Sequence, residues 1–214
     1  MSALRSGRQL VAAVRALLVA TVVLGLAYPL VITGVAQLIA PARADGSLVS
    51  VDGSSLIGQS FTDEDGDPLP EYFQTRPSVS DYDGAASGGS NLGPNSEELV
   101  AAVGERRESV ADFNGASESE VPADAVTASG SGLDPDISPE YAALQVARVA
   151  EARGVPVDDV EALVEEHTAG RDLGFIGAPH VRVLELNLAL DHRFGAGADD
   201  TMPGGDPSAG HRSP

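Results

Sequence analysis

The residues best placed by type and spacing to do chemistry are an acidic run, Asp63-Glu64-Asp65-Gly66-Asp67, in which Asp63, Asp65 and Asp67 fall at the 1-3-5 spacing of a calcium loop. The sixth position of such a loop would be Pro68, where glycine normally makes the sharp turn. The twelfth would be Gln74, where a bidentate glutamate closes the cage. Both diagnostic positions fail, and the run reads as a solvated acidic loop. Two other stretches, Ala86–Asn91 (ASGGSN) and Ala128–Gly132 (ASGSG), have the composition of phosphate cradles. A P-loop also needs a lysine to reach the β- and γ-phosphates, and the chain contains none. Each loop alone reads as a tight turn with exposed amides, which keep the capacity to hold an anion or a carbonyl-rich partner. His167, His180, His192 and His211 follow no HExxH or other zinc spacing, and His167 falls on the apolar face of a predicted helix. There is no G-x-S-x-G elbow, which leaves only a Ser-His-Asp triad assembled by folding. With no cysteine, disulfides and thiolate metal sites are excluded. The residues thus name no catalytic group, no metal ligand set and no specific cofactor-binding residue.

What must position these residues is set first by an uncharged run of 26 residues, Ala16–Pro41. As a helix it would reach roughly 39 Å, enough to cross a hydrocarbon core of about 30 Å with some tilt. A signal peptide needs only about 7–15 apolar residues before a small-x-small cleavage site. Ala40-Pro41-Ala42 and Ala42-Arg43-Ala44 pass as such sites, but the run is too long and Pro41 is awkward there, so a membrane anchor is the stronger reading. Arg5, Arg8 and Arg15 precede the run without an acid, and the first acid is Asp45. Basic flanks stay cytoplasmic, so residues 1–15 are expected inside and the domain at 44–193 outside, despite Arg43. Gly25, Pro29 and Gly34 interrupt the span. They permit either a mild kink or close packing against a neighbouring membrane helix.

The rest of the chain is strongly acidic. All 32 acids lie after the run, the formal net charge is −19, and every basic side chain is arginine or histidine. Such a surface repels nucleic acid and anionic lipid and attracts cations. The acids are spread along the whole outer chain, as in a salt-adapted surface, and a local cation-attracting field is a consequence such a surface can also have. Aromatics make up 4% and tryptophan is absent, so a core must be built from Val, Leu, Ile and Ala.

The expected fold is therefore one transmembrane helix at 16–41 followed by a mixed α/β extracytoplasmic domain. Ser47–Val51 and Ser55–Phe61 read as strands around an Asp52-Gly53 turn, and Tyr72–Gln74 as an extended segment. Ser96 caps a helix that runs to about Phe113 and closes at Gly115, and Ser138-Pro139-Glu140 opens another that ends at Gly154. Val160, Leu163, Val164 and His167 give a third helix, from Asp158 to Gly170. Val121–Ala128 holds a strand start. Val181–Leu190, with leucines at every second position from Leu184, favours a strand, although it can also continue as a helical turn. The Gly/Pro/Asp/Ser tail at 194–214 reads as disordered.

Several stretches together resemble one family. They are Tyr28-Pro29-Leu30, Asp45–Leu48, Gly53–Phe61 (GSSLIGQSF), Tyr72-Phe73, Arg76-Pro77-Ser78, Ala86–Leu92 (ASGGSNL), Val126–Asp134 (VTASGSGLD), Ile137-Ser138-Pro139, Ala147–Ala150, Ile176-Gly177 and Val183–Asp191 (VLELNLALD). In this order behind one anchor, they are similar to the C subunit of the Kdp-type potassium-transporting ATPase over residues 1 to about 191. Asp63–Glu71 and the tail after Asp191 are longer than the pattern.

The resemblance implies a non-catalytic accessory subunit of a potassium importer in the cell membrane. Its partners would be a channel-like potassium-translocating subunit and a P-type ATPase subunit, with membrane lipid around the anchor and no nucleic acid. It implies no tightly bound cofactor, potassium as the transported ion, and ATP only through the complex, where the subunit is proposed to act as a catalytic chaperone for ATP binding. Gly25, Pro29 and Gly34 are the expected helix-packing residues. Gln59, Arg76, Gly88, Gly89, Ser90 and Asn91 are the expected contact or structural loop residues, with an ion pair inside the domain as the other reading of Arg76. A membrane-tethered module that binds a nucleotide or cation through its Ser/Gly loops, and a secreted hydrolase freed by signal cleavage, are the competing classes.

Overall fold

A computed structural model describes residues 2–50 and 53–195 of the chain. It divides into two units that meet between residues 48 and 49. The expected tail lies, from residue 196, outside the described residues, as do His211, Val51 and Asp52.

The first unit is helical. Helix α1 (Ser2–Ala20) passes into a π-helical stretch (Thr21–Ala27), then into α2 (Tyr28–Ile39) and a short turn, α3 (Pro41–Ala44). The wide stretch has a local cause. Pro29 has no N–H to offer the carbonyl of Gly25, and its ring would press on that carbonyl in an α-helix. The bonding shifts one residue, and the Tyr28 N–H donates to the Val23 carbonyl. Gly7–Ile39 forms the one described helix long and apolar enough to cross a membrane, and no residue in it is buried. The helix starts earlier than the uncharged run because Arg8 and Arg15 are good helix formers and nothing breaks the chain before them.

The second unit is a mixed helix–strand body. A two-stranded pair, β1 (Leu48–Ser50) and β2 (Gly53–Ser54), leads into irregular chain to residue 96. Helix α4 (Glu97–Asn114) follows, then a 3₁₀ turn at Glu118–Glu120, α5 (Ala123–Val126), β3 (Asp136–Ile137), α6 (Pro139–Arg153), α7 (Val157–Glu166), β4 (Thr168–Ala169), β5 (His180–Arg182) and α8 (Val183–Phe194). β5 is the middle of a three-stranded antiparallel sheet, with Ile137 and Thr168 both opposite Val181. The core lies between this small sheet and the helices, around Phe61, Phe73, Val126, Val149, Val160, Val181, Leu186 and Leu190.

The helix caps follow the sequence. Ser96 Oγ accepts from Leu99 N and Ser138 Oγ from Tyr141 N, while Gly115 and Gly154 end α4 and α6 in the left-handed region.

Four expectations need correction. Residues 55–61 are not a strand, because the Gly58 N–H donates to the Leu133 carbonyl at 2.9 Å and so bonds to a loop rather than a ladder. Residues 123–126 are helical, since Pro122 sets the entry and Thr127 Oγ1 turns back onto the Ala123 carbonyl at 2.7 Å. Helix α7 stops at Glu166, where the His167 ring nitrogen and main-chain N–H both meet the Leu163 carbonyl, and β4 takes the next residues. The leucine-rich stretch is strand only to Arg182 and helix thereafter. Its buried set of Val183, Leu184, Leu186, Asn187 and Leu190 recurs at helical spacing within the alternating leucines.

Candidate functional site

On the membrane-length helix, Gly25 sits inside the π-helical stretch and Pro29 just after it. A Cβ added at Gly25 would meet only Thr21 Cγ2, at 3.8 Å, and one at Gly34 would meet nothing within 4 Å. Both glycines therefore expose backbone that another helix can approach closely.

In the body, the acidic loop is closed by a bridge between Thr62 and Pro68. Asp63 Oδ1 accepts the amides of Asp65 and Asp67, each at 2.9 Å, so its carboxylate holds its own turn. The described residues contain no group of three or more His, Cys, Asp or Glu side chains placed to hold a metal ion.

The two Ser/Gly loops close on one another. Gly88 N–H and Ser87 Oγ both donate to the Ser131 carbonyl, at 2.8 and 3.0 Å. Ser78 Oγ donates to the Gly132 carbonyl at 2.7 Å, and the Gly132 N–H donates to Ser129 Oγ at 2.8 Å. Gly132 has φ +69°, and a Cβ there would collide with Ser80 Oγ and lie 2.9 Å from the Gly88 carbonyl. A Cβ at Gly89 would stand 3.2 Å from the Gly130 carbonyl. Ser90 Oγ accepts from Leu92 N, and Asn91, itself at φ +55°, donates to the Gly89 carbonyl at 3.2 Å. Close backbone approach requires glycine at 132 and crowds any Cβ at 89, and the amides of Gly88 and Gly132 are already donated within the chain.

Arg76 lies beside this clasp. Its guanidinium donates to Asp134 Oδ2 at 2.8 Å and to the Thr127 carbonyl at 3.2 Å, while its Nε is buried without a partner. Tyr82 donates to the Arg76 carbonyl at 2.6 Å, and burial pushes its phenol up to about 12. Gln59 is half-buried, and its carbonyl accepts from Thr75 Oγ1 at 3.3 Å. The structure thus brings Arg76, Gly88 and Gly89 into one loop assembly across from residues 127–134.

Next to it opens a cavity of about 510 Å³, walled by Asp124, Asp134, Asp136, Asp172 and Arg76, with His180 at its edge. His180 Nε2 lies 3.9 Å and Arg182 Nε 4.0 Å from the Asp136 carboxylate. Burial, ahead of the opposing pull of His180, holds the Asp136 carboxyl above its usual range.

A further set of residues, not among the expected site residues, fixes the segment at 70–74. Gln145, Arg148 and Arg153 on α6 and Asn187 and Asp191 on α8 supply its hydrogen bonds, Asp191 by accepting from the Tyr72 hydroxyl. Arg148 donates to the carbonyls of Pro70 and Tyr72, to Gln145 Oε1 and to Asn114 Oδ1, and its guanidinium lies 4.3 Å over the Phe113 ring. Arg148 lies in the family-like stretch at 147–150 and Asn187 and Asp191 in that at 183–191, whereas Gln145 and Arg153 fall outside both.

An apolar helix of spanning length, joined to a mixed helix–strand body, fits a protein located at a membrane. Comparison with known proteins makes the class specific. Residues 10–192 match the family of the K+-transporting ATPase c chain, KdpC, and the chain belongs to that family. The potassium-transporting ATPase KdpC subunit of Kineococcus radiotolerans is 57% identical over 180 residues, covering 81% of this chain and 88% of that protein. The KdpC subunit of Beijerinckia indica is 52% identical over 184 residues (83% and 90%), and that of Mycobacterium tuberculosis 50% over 191 residues (86% and 98%).

Proposed function

We propose that this chain is a non-catalytic, single-pass accessory subunit of an ATP-driven complex that imports potassium. Its partners are a channel-like potassium-translocating subunit and a P-type ATPase subunit, and potassium is the ion that the complex carries. The observation that carries the reading is a KdpC-family chain whose Gly7–Ile39 helix is of spanning length and has no buried residue. The arginines ahead of the uncharged run favour a cytoplasmic N-terminus and an extracytoplasmic body.

In this reading Gly25, Pro29 and Gly34 seat the anchor against a partner helix. Gln59, Arg76, Gly88, Gly89, Ser90 and Asn91 belong to a loop assembly that shapes the face turned to the channel-like subunit. The role is assembly and stability. The internally donated amides of the Ser/Gly loops favour a structural clasp over nucleotide capture. Any chaperone effect on ATP affinity would then be relayed through the partners, because the body stands on the side of the membrane opposite cytosolic ATP.

The test replaces Gly25 and Gly34 with leucine in the full chain and measures co-purification of the complex in mild detergent together with potassium uptake. Both should fall. Unchanged yield and uptake would overturn the packing assignment, and a body that added protease digests in lysed cells but spares in intact ones would overturn the orientation.

A further inference from the structure

The antiparallel strands β4 and β5 are joined by a loop, 170–179, whose tip is tightly made. Asp172 and Ile176 exchange both main-chain hydrogen bonds, each at 2.9 Å, and close a three-residue tip of Leu173, Gly174 and Phe175. Gly174 takes φ +82° without cost, but Leu173 sits at φ +51°, where a branched side chain is strained. What this strained turn displays is apolar: Leu173 is 83% and Phe175 72% exposed, whereas Phe61 and Phe73 are buried in the core. In a chain with only five phenylalanines, a tip that presents Phe beside Leu to solvent calls for a covering surface.

Charge narrows what can cover it. The tip adjoins the cavity of about 510 Å³, to which Asp172 and Ile176 both belong, and four aspartates, Asp124, Asp134, Asp136 and Asp172, line that cavity with Arg76 and His180; Asp124 accepts from Ser138, and Arg182 stands 4.0 Å from Asp136. Arg76 is already committed to Asp134. An anionic lipid surface is repelled by this wall. A second copy of the chain, with its own net charge of −19, would bring the same sign to the contact. The complement of an apolar tip beside an acidic cavity is a protein surface with an apolar pocket flanked by arginine or lysine.

We propose that the 170–179 loop and the adjoining cavity form a docking element for a partner protein subunit, with Leu173 and Phe175 entering an apolar pocket and basic side chains of the partner meeting the cavity carboxylates. The inference rests on the reading of the chain as a subunit of a complex.

The experiment captures the complex in mild detergent through a tag on the ATPase subunit and measures how much of the full chain is retained. Leu173→Ser with Phe175→Ser should lower retention at least tenfold. Leu173→Gly relieves the turn, so it should leave the unfolding midpoint level or raise it while still lowering retention, a pairing that a purely structural role of Leu173 does not produce. Asp172→Asn should flatten the dependence of retention on salt. Variants retained like wild type, or variants that differ from wild type only in binding phosphatidylglycerol vesicles, would overturn the docking element and leave the subunit reading intact. A wild-type chain that is not retained at all would overturn the subunit reading, and the inference with it.

Discussion

Asn187, in the middle of α8, holds the backbone of Phe73 with both ends of its amide. Its Nδ2 donates to the Phe73 carbonyl at 3.0 Å and its Oδ1 accepts the Phe73 N–H at 2.9 Å, with both residues fully buried. Gln145 on α6 repeats the device one residue on, accepting the Gln74 N–H at 2.7 Å and donating to its carbonyl at 3.1 Å. Two helices thus play the part of neighbouring strands for a segment that has none. Replacing Asn187 with leucine keeps the volume but strands one buried donor and one buried acceptor, each worth about 1–3 kcal/mol when unsatisfied. Asn187→Leu should destabilise the body by about 2–6 kcal/mol, read by urea unfolding of the full chain in mild detergent. A loss under about 1 kcal/mol would show that water or a rearranged segment replaces the amide.

That device explains what was and was not legible in the sequence. Helices α4 and α6 were readable end to end because their signals are local: a serine cap, Pro139 at the first turn and a glycine in the left-handed region past the last. The stretch from Val183 to Leu190 was ambiguous for a physical reason. Leucine at every second position satisfies a strand, and the same stretch holds Val183, Leu186 and Leu190 at helical spacing. The helix sets Asn187 against Phe73, 114 residues away in the chain, a contact that no local pattern encodes. Arg148 and Gln145 were visible as polar residues on a helix, but their non-local partners at 70–74 were not. The Ser/Gly loops were legible as turns, while their closure on each other depends on contacts such as Gly88 with Ser131 that no local pattern encodes.

Arg76 and Asp134 form a half-buried pair at 2.8 Å, with side chains 24% and 26% exposed. Partial exposure limits such a pair to about 1 kcal/mol of coupling. A double-mutant cycle with Arg76→Met and Asp134→Asn, measured by urea unfolding, should return that coupling. The same variants separate the two roles proposed for Arg76. If the residue serves only the clasp, complex yield follows body stability; if it also meets a partner, Arg76→Met lowers yield more than Asp134→Asn does at equal stability.

Asp136 is an acid whose folded state disfavours its charge. Burial raises its pKa, Asp134 and Glu185 add to the rise, and His180 and Arg182 oppose it. For a group with a raised folded pKa, the native state binds protons more tightly than the unfolded state, and the stabilisation belongs to the protonated form. It is complete below the unfolded carboxyl range near 4 and is lost as pH climbs through the raised folded value. Asp136→Asn removes this dependence. Relative to wild type, the variant should therefore gain stability as pH rises from about 4 towards neutrality. Melting temperatures of both proteins across that range check the sign; parallel curves would show that the Asp136 carboxylate is not the group under strain.

Tyr82 carries the opposite end of the pH scale. It stands at φ +57°, and its hydroxyl donates to the Arg76 carbonyl at 2.6 Å. Burial, ahead of the repulsion from Asp134, pushes the phenol from 10 up to about 12, while Thr75 and Arg76 pull it back. The proton is held more tightly in the folded state, so the contribution of Tyr82 is intact below pH 10 and lost as pH rises from 10 through about 12. Tyr82→Phe forfeits the hydrogen bond, a cost of about 1 kcal/mol at neutral pH, but it has no phenol to ionise. Wild type should be the more stable protein at pH 8, and the gap should close on alkaline titration as tyrosinate forms. Tyrosinate absorbance near 295 nm, followed with unfolding in the same titration, reads both events. A gap that holds constant to pH 12 would mean that the Tyr82 hydroxyl titrates alike in the folded and unfolded chain, and that burial in the clasp beside Arg76 does not govern it.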